Sequence, residues 1–178
     1  FSILTSEAAF AGSEWIGAIT RKDARIPEGR KYHGSELKKP EAKAAWAAVD
    51  TLAKKSIYLR REFYVAKKVK DATAYVCGLG FYEFSLNGEK VGDSEFAPLW
   101  SDYDKSVYYN TYDVTSQVKK GGNAIGVLLG NGFYNVQGGR YRKLQISFGA
   151  PTLRFRMVVN YEDGTCETIV SGKDRKSV

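Results

Sequence analysis

The chain has 178 residues, of which 43% are hydrophobic and 26% are charged, and this composition is typical of a globular protein rather than a disordered one. No apolar run is long enough to span a bilayer, which excludes a transmembrane helix and gives no reason to expect a membrane partner. The formal net charge of +7 would allow binding to a polyanion. The basic residues occur as scattered pairs without a nucleic-acid signature, so we interpret them as solvated strand faces and loop rims and expect no nucleic-acid partner.

Residues 1–56 are irregular in pattern and are predicted to form an N-terminal arm that packs on the rest of the chain. The apolar residues Trp15 and Ile16 are expected to dock this arm onto the core. Pro40 and the alanine-rich run after it predict a helix over residues 41–54. The buried stripe of that helix would consist of Trp46, Val49 and Leu52.

From Ile57 onward the hydrophobic period changes to two, which predicts a β-sandwich domain over residues 57–178. The pair Asn87-Gly88 predicts a tight hairpin, because both residues tolerate positive φ. About eight strands with short turns are typical of an antiparallel β-sandwich or jelly roll. The predicted fold class is therefore all-β, with a short helical insertion near the N-terminus. The predicted strands cover residues 58–65, 72–79, 84–86, 90–92, 107–112, 124–129, 153–161 and 166–170, and the strand at 124–129 is expected to be central.

Strand alternation assigns faces to single residues. In the strand at 72–79, Tyr75 and Cys77 lie on one face, and Cys77 is predicted to be a small buried hydrophobe. A disulfide between Cys77 and Cys166 stays open, since it requires neighbouring strands. Residues 113–122 predict one capped helical turn that ends at glycine.

No catalytic signature stands out. Asp102 and Asp104 are the candidates for a pair of acidic groups, but turn capping or pairing with nearby lysines is the favoured interpretation. His33, the single histidine, lies in a predicted glycine-flanked loop without a visible serine or cysteine partner, so a catalytic triad has no support. The glycine-rich segments that begin at Gly78 and Gly130 lack the Lys-Ser/Thr ending of a nucleotide-binding loop.

The loops between residues 97 and 135 combine aromatic side chains with planar polar ones, as sugar-binding surfaces do. An aromatic ring contacts the apolar face of a sugar, and amide or carboxylate groups bind its hydroxyls. The favoured alternative is that these aromatic residues hold loops over the ends of the sandwich or pack against another domain. The candidate carbohydrate-binding residues are Trp100, Asp102, Tyr103, Asn131, Phe133, Tyr134 and Asn135, with Tyr141 as a further aromatic residue.

Several segments together resemble the N-terminal domain of bacterial α-L-rhamnosidases of glycoside hydrolase family 78. They are Ile57-Tyr-Leu-Arg-Arg-Glu-Phe, Gly78-Leu-Gly-Phe-Tyr-Glu-Phe-Ser-Leu-Asn-Gly-Glu-Lys-Val-Gly-Asp, Pro98-Leu-Trp-Ser-Asp-Tyr-Asp-Lys, Tyr112-Asp-Val-Thr and Gly130-Asn-Gly-Phe-Tyr. The resemblance implies a galactose-binding-like jelly roll within an inverting enzyme that removes terminal α-L-rhamnose from glycans.

The resemblance also implies that the catalytic carboxylates belong to a C-terminal (α/α)6 barrel, so no catalytic residue is carried over onto this chain. The expected function is a non-catalytic domain that supports that barrel. A free-standing carbohydrate-binding module for rhamnose-containing oligosaccharides is the alternative. No cofactor is expected, although some relatives hold rhamnose through a calcium ion, and such a site would use Asn131 and nearby carbonyl groups. The chain opens at Phe1 without a recognisable signal peptide, and a periplasmic or secreted location is favoured.

Overall fold

The computed structural model describes residues 6–18, 31–33, 38–47, 55–136, 144–173 and 176–177. Two short helices are described, α1 (Ser6–Ala9) and α2 (Pro40–Ala47), and neither is long and apolar enough to cross a membrane. The strands within these ranges are β1 (Lys31–His33), β2 (Ile57–Val65), β3 (Val69–Leu79), β4 (Phe81–Leu86), β5 (Glu89–Lys90), β6 (Asn110–Asp113), β7 (Gly121–Gly130), β8 (Asn135–Val136), β9 (Leu144–Ser147), β10 (Thr152–Tyr161), β11 (Cys166–Val170) and β12 (Lys176–Ser177).

The strands form two main sheets and a smaller third one. The order is β11-β10-β3-β6 in the four-stranded sheet, β12-β2-β7-β4-β5 in the five-stranded sheet and β1-β9-β8 in the small one. Every pairing between these strands is antiparallel. The predicted all-β antiparallel sandwich is therefore confirmed. The central position predicted for the strand at 124–129 is also confirmed, because β7 lies between β2 and β4.

The core lies between the two main sheets and follows from alternation along the strands. Strand β10 buries every second residue, and the partner strands do the same from the opposite sheet. Removing this apolar surface from water is the main favourable term for folding. The inward residues of β10 and β7 are Leu153, Phe155, Met157, Val159, Ile125, Val127 and Leu129.

The predicted hairpin joins β4 to β5 through Asn87 and Gly88, whose φ angles are 55° and 84°. The side chain of Asn87 has a second role that its turn propensity did not reveal. Its Nδ2 donates to the carbonyl of Gln117 at 2.8 Å, and its Oδ1 accepts from the backbone N–H of Ala124 at 2.9 Å. One residue thus links the hairpin to two other segments.

The predicted turn after residue 113 is also present. The Oδ1 of Asp113 accepts a hydrogen bond from the Thr115 N–H at 3.0 Å, and the Val118 N–H donates to the carbonyl of Val114 at 3.1 Å. Gly121, with φ of 99°, ends the segment and opens β7.

Residues 6–18 pack along the sandwich. Ile16 and Leu153 exchange two backbone hydrogen bonds of 2.8 Å each. Phe10 is buried against the outer face of β3, with its ring edge-to-face to Tyr109 at 5.4 Å. Trp15 stays 41% exposed, so Phe10 and Ile16 make the apolar contacts.

Two sequence interpretations are corrected. His33 ends strand β1 and pairs with Leu144, rather than lying in a loop, because the strand partner is distant in sequence. Arg61 is half-buried rather than solvated, since it occupies an inward position of β2 and donates to the carbonyl of Val170. That bond connects β2 of the five-stranded sheet to the edge strand β11 of the four-stranded sheet.

Cys77 is buried as predicted, while Cys166 is exposed, and both are free thiols. A disulfide between them does not form, because β10 separates their two strands. In the predicted helix over 41–54, residues 48–54 and the side chain of Trp46 lie outside the described residues. The division of the chain at residue 57 stays a prediction.

Candidate functional site

The loops that carry the candidate residues meet at one end of the sandwich. The N–H of Tyr82 in β4 donates to the carbonyl of Ala97 at 2.7 Å, which ties the loop between β5 and β6 to the five-stranded sheet. Gly80 has φ of 122°, and a Cβ at this position would lie 2.2 Å from the carbonyl oxygen of Gly130. The loop after β7 can approach this closely only because Gly80 lacks a side chain.

This end of the molecule carries a group of exposed and half-buried apolar side chains, which we call the aromatic patch. The rings of Trp100 and Phe133 lie 5.3 Å apart at an interplanar angle of 34°. Phe81 contacts Phe133 at 5.6 Å edge-to-face and Phe96 at 5.5 Å. The aromatic patch consists of Phe81, Phe96, Leu99, Trp100 and Phe133.

Two other aromatic candidates point into the fold. Tyr134 is buried, and its hydroxyl donates to the carbonyl of Phe148 at 3.1 Å. Tyr103 packs edge-to-face on Tyr134 at 5.2 Å and contacts Phe148 at 5.4 Å. Burial raises the pKa of the Tyr103 hydroxyl, which stays protonated at neutral pH. In this arrangement Tyr103 and Tyr134 hold the loops together rather than face solvent.

The two asparagine candidates bind each other. Nδ2 of Asn135 donates to Oδ1 of Asn131 at 3.0 Å, and the N–H of Asn135 donates to the carbonyl of Asn131 at 3.2 Å. Asn135 is 2% exposed. These contacts shape the turn between β7 and β8.

The described residues contain no group of three or more histidine, cysteine, aspartate or glutamate side chains that could hold a metal ion. The Asn131 side-chain oxygen already accepts the bond from Asn135. Calcium binding near Asn131 therefore stays a prediction that rests on amide and carbonyl oxygens alone.

The carboxylates of the same loop serve its turn. Asp102 accepts from the Asp104 N–H at 3.3 Å and pairs with the Lys105 ammonium at 3.1 Å. Its carbonyl accepts from the N–H groups of Lys105 and Ser106 at 2.8 and 2.9 Å. These two side-chain partners lie within three residues along the chain, as in a capped turn. The favoured interpretation from sequence, turn capping and lysine pairing, is confirmed for Asp102 and stays a prediction for Asp104.

Of the seven candidate residues, two therefore form the exposed apolar surface, Trp100 and Phe133, while Tyr141 lies outside the described residues. Sequence reasoning missed Phe81, Phe96 and Leu99. The available signal was the apolar content of the segment from Phe96 to Trp100, which follows no strand period and is too short for a core helix.

Comparisons with known proteins agree with this architecture. The family model described as alpha-L-rhamnosidase N-terminal domain matches residues 67–178, more than half of the chain. The alpha-L-rhamnosidase of Formosa agariphila is 38% identical over 168 residues, which cover 91% of this chain and 17% of that protein. The alpha-L-rhamnosidase of Streptomyces avermitilis is 42% identical over 130 residues, which cover 72% of this chain and 12% of that protein.

Solved structures give the same result. The Streptomyces avermitilis alpha-L-rhamnosidase complexed with L-rhamnose superposes with a TM-score of 0.65 at 39% identity, over 74% of this chain and 13% of that one. The alpha-L-rhamnosidase from Dictyoglumus thermophilum gives a TM-score of 0.66 at 32% identity, over 93% of this chain and 16% of that one.

Two facing antiparallel sheets with loops gathered at one end define a β-sandwich domain. The chain belongs to the alpha-L-rhamnosidase N-terminal domain family, which confirms the resemblance seen in the sequence. It spans 17% and 12% of the length of the first two relatives.

Proposed function

We propose that this chain is a non-catalytic supporting domain of a longer enzyme that hydrolyses terminal α-L-rhamnose from glycans. The family match over residues 67–178 carries the proposal. Its catalytic partner would be an (α/α)6 barrel in the same polypeptide, and the domain would brace that barrel.

The contacts of Asp102, one of the two acidic candidates, agree with a non-catalytic role. Inverting hydrolysis needs two carboxyl groups on opposite sides of the scissile bond, about 6.5–9.5 Å apart. Asp102 and Asp104 instead belong to one turn, where Asp102 binds the N–H of Asp104 and the Lys105 ammonium. A carboxylate that caps a turn and pairs with lysine is poorly placed to donate a proton to a leaving group.

Rates of aryl α-L-rhamnoside hydrolysis by the isolated chain and by the intact protein test this proposal. We expect turnover by the intact protein and none by the isolated chain. The variants D102N and D104N in the intact protein should keep its kcat. The proposal would be contradicted if the isolated chain hydrolysed the substrate and if D102N or D104N, introduced into that chain, abolished the activity.

The alternative function is a carbohydrate-binding module. The exposure of Trp100 beside Phe133 favours it, since an open indole ring can contact the apolar face of a sugar. Calorimetric titration of the chain with L-rhamnose and rhamnose-ended oligosaccharides, with and without calcium, tests it. Saturable heat that W100A or N131A removes would favour the module, and no heat at millimolar sugar would reject it.

A further inference from the structure

The aromatic patch exposes an unusual amount of apolar side chain. The exposed fractions are 70% for Phe96, 76% for Leu99, 64% for Trp100 and 44% for Phe133. Isolated exposed apolar residues are ordinary on protein surfaces, whereas a contiguous group marks a site of interaction. The rings are contiguous, because contacts connect Phe96, Phe81, Phe133 and Trp100 in a series, and Leu99 directly precedes Trp100 in the chain.

The patch is held in shape before any partner binds. The hydrogen bond from Tyr82 to Ala97 holds one loop on β4, and the pairing of Phe81 with Gly130 holds the start of the other loop beside the same strand. Ala97 and Pro98, between the exposed residues, are themselves buried. A surface that is already ordered loses little conformational entropy on binding.

The residue types in the patch fit a protein surface better than a sugar. Leu99, its most exposed member, has no ring to stack on a sugar. The amide groups of the neighbouring Asn131 and Asn135 bind each other, and Asp102 binds the Asp104 N–H and the Lys105 ammonium of its own turn. Aromatic side chains surrounded by polar ones are typical of the core and rim of a protein interface.

We propose that the aromatic patch packs against another part of the same polypeptide, and this inference rests on the proposed function. The relatives are much longer proteins, of which this chain matches 17% and 12%. A covalently attached partner is present at high effective concentration, so a modest interface is enough to hold it.

The charge of the residues around the aromatic patch indicates the charge of the surface that binds it. The segment from Lys90 to Lys105 contains four acidic residues and two lysines, a net charge of −2 in a chain of net charge +7. Glu95 and Asp102, on the two sides of the patch in sequence, pair with Lys90 and Lys105. The complementary surface should therefore be apolar at its centre and basic at its rim.

Hydroxyl-radical footprinting read by peptide mass spectrometry tests the inference by comparing the isolated chain with the intact protein. We expect Phe96, Leu99 and Trp100 to be oxidised several-fold more slowly in the intact protein. Tyr64 and Tyr108, which are 68% and 53% exposed outside the patch, serve as internal controls and should be oxidised equally in both. Equal oxidation of Trp100 in both proteins would overturn the inference.

The L99S variant provides the second measurement, with Y64S as its matched control. In the intact protein L99S should lower the midpoint of thermal unfolding, whereas in the isolated chain neither variant should change it.

A patch that becomes protected in the isolated chain as its concentration rises would assign the surface to a second copy. Protection by L-rhamnose would assign it to sugar, and either result overturns the inference. The hydrolysis assay is independent of the footprinting and unfolding measurements. An intact protein that is inactive but has a protected patch would therefore contradict the proposed function and leave the inference about the patch standing.

Discussion

Gly80 is a single position on which the shape of the loop end depends. Its φ of 122° is unfavourable for any side chain, and a Cβ would lie 2.2 Å from the backbone oxygen of Gly130. We expect G80A to lower the free energy of unfolding by about 2–4 kcal/mol, measured by denaturant titration.

The control is G122A. Gly122 has no positive φ and nothing within 4 Å of its Cβ position, so this variant should change stability by less than about 0.5 kcal/mol. Equal effects of the two substitutions would show that Gly80 does not set the approach of these loops.

The buried thiol of Cys77 makes stability depend on alkaline pH. Burial raises the pKa of this thiol to about 12, against an opposing effect of Arg154, whereas the pKa of cysteine in an unfolded chain is about 8.5. The folded state therefore holds the proton more tightly, and the stabilisation is complete below the unfolded pKa and is lost as pH rises towards the folded one. The Cys77 contribution should fall by roughly 2 kcal/mol between pH 8 and pH 10.

Denaturant titrations at these two pH values isolate the effect. C77A should lose less stability between them than the unsubstituted chain, whatever its starting stability, while C166A, at the exposed cysteine, should lose as much as the unsubstituted chain. A pH dependence of C77A as steep as that of the unsubstituted chain would exclude Cys77 as its source.

At the scale of elements, Phe10 and the contacts that Arg154 makes with the N-terminal arm hold this arm on the sandwich. The Nε of Arg154 donates to the Ser13 hydroxyl at 2.9 Å, its Nη2 donates to the Phe10 carbonyl at 3.2 Å, and its guanidinium lies 5.5 Å from the Phe10 ring. F10A should lower the free energy of unfolding by about 3 kcal/mol and should accelerate reaction of the Cys77 thiol with a disulfide reagent. W15A, at an exposed arm residue, should do neither to a comparable extent.

How far sequence predicts these elements depends on how local their determinants are. The alternation of Leu153, Phe155, Met157 and Val159 identified β10, because a period of two in hydrophobic residues is a local property of a single strand. The strand predicted at 107–112 begins only at Asn110. Val107 and Tyr109 have the same apolar pattern, but they pack against the arm, which lies far away in sequence.

The candidate site shows the same limit. Trp100 and Phe133 could be named from their residue types, and both are exposed. The patch around them depends on the bond between Tyr82 and Ala97, a non-local pairing that no periodicity contains. Tyr134 and Asn135 were indistinguishable from surface residues by type alone, and only the fold shows that they are buried.

At the scale of the whole molecule, the net charge is +7, and many of the basic residues that the structure describes have acidic partners. In the described part of the chain, Arg60, Lys67, Lys68, Lys90 and Lys105 each pair with a carboxylate. Strong polyanion binding requires clustered cations that release counterions. We expect no gel shift with duplex DNA or heparin at physiological salt, and a shift that weakens steeply with added salt would contradict this.

The position of β2 has a practical consequence for anyone who clones this domain. The family model begins at residue 67, whereas β2 ends at Val65 and lies between β7 and β12. A gene fragment cut at residue 67 would remove β2 and leave one edge of β7, which pairs with β2 from Gly121 to Leu129, without main-chain partners. Such an exposed edge favours intermolecular strand addition and insoluble product. A fragment chosen for expression should therefore start before residue 67 and should include β2 and residues 6–18, which contain Phe10.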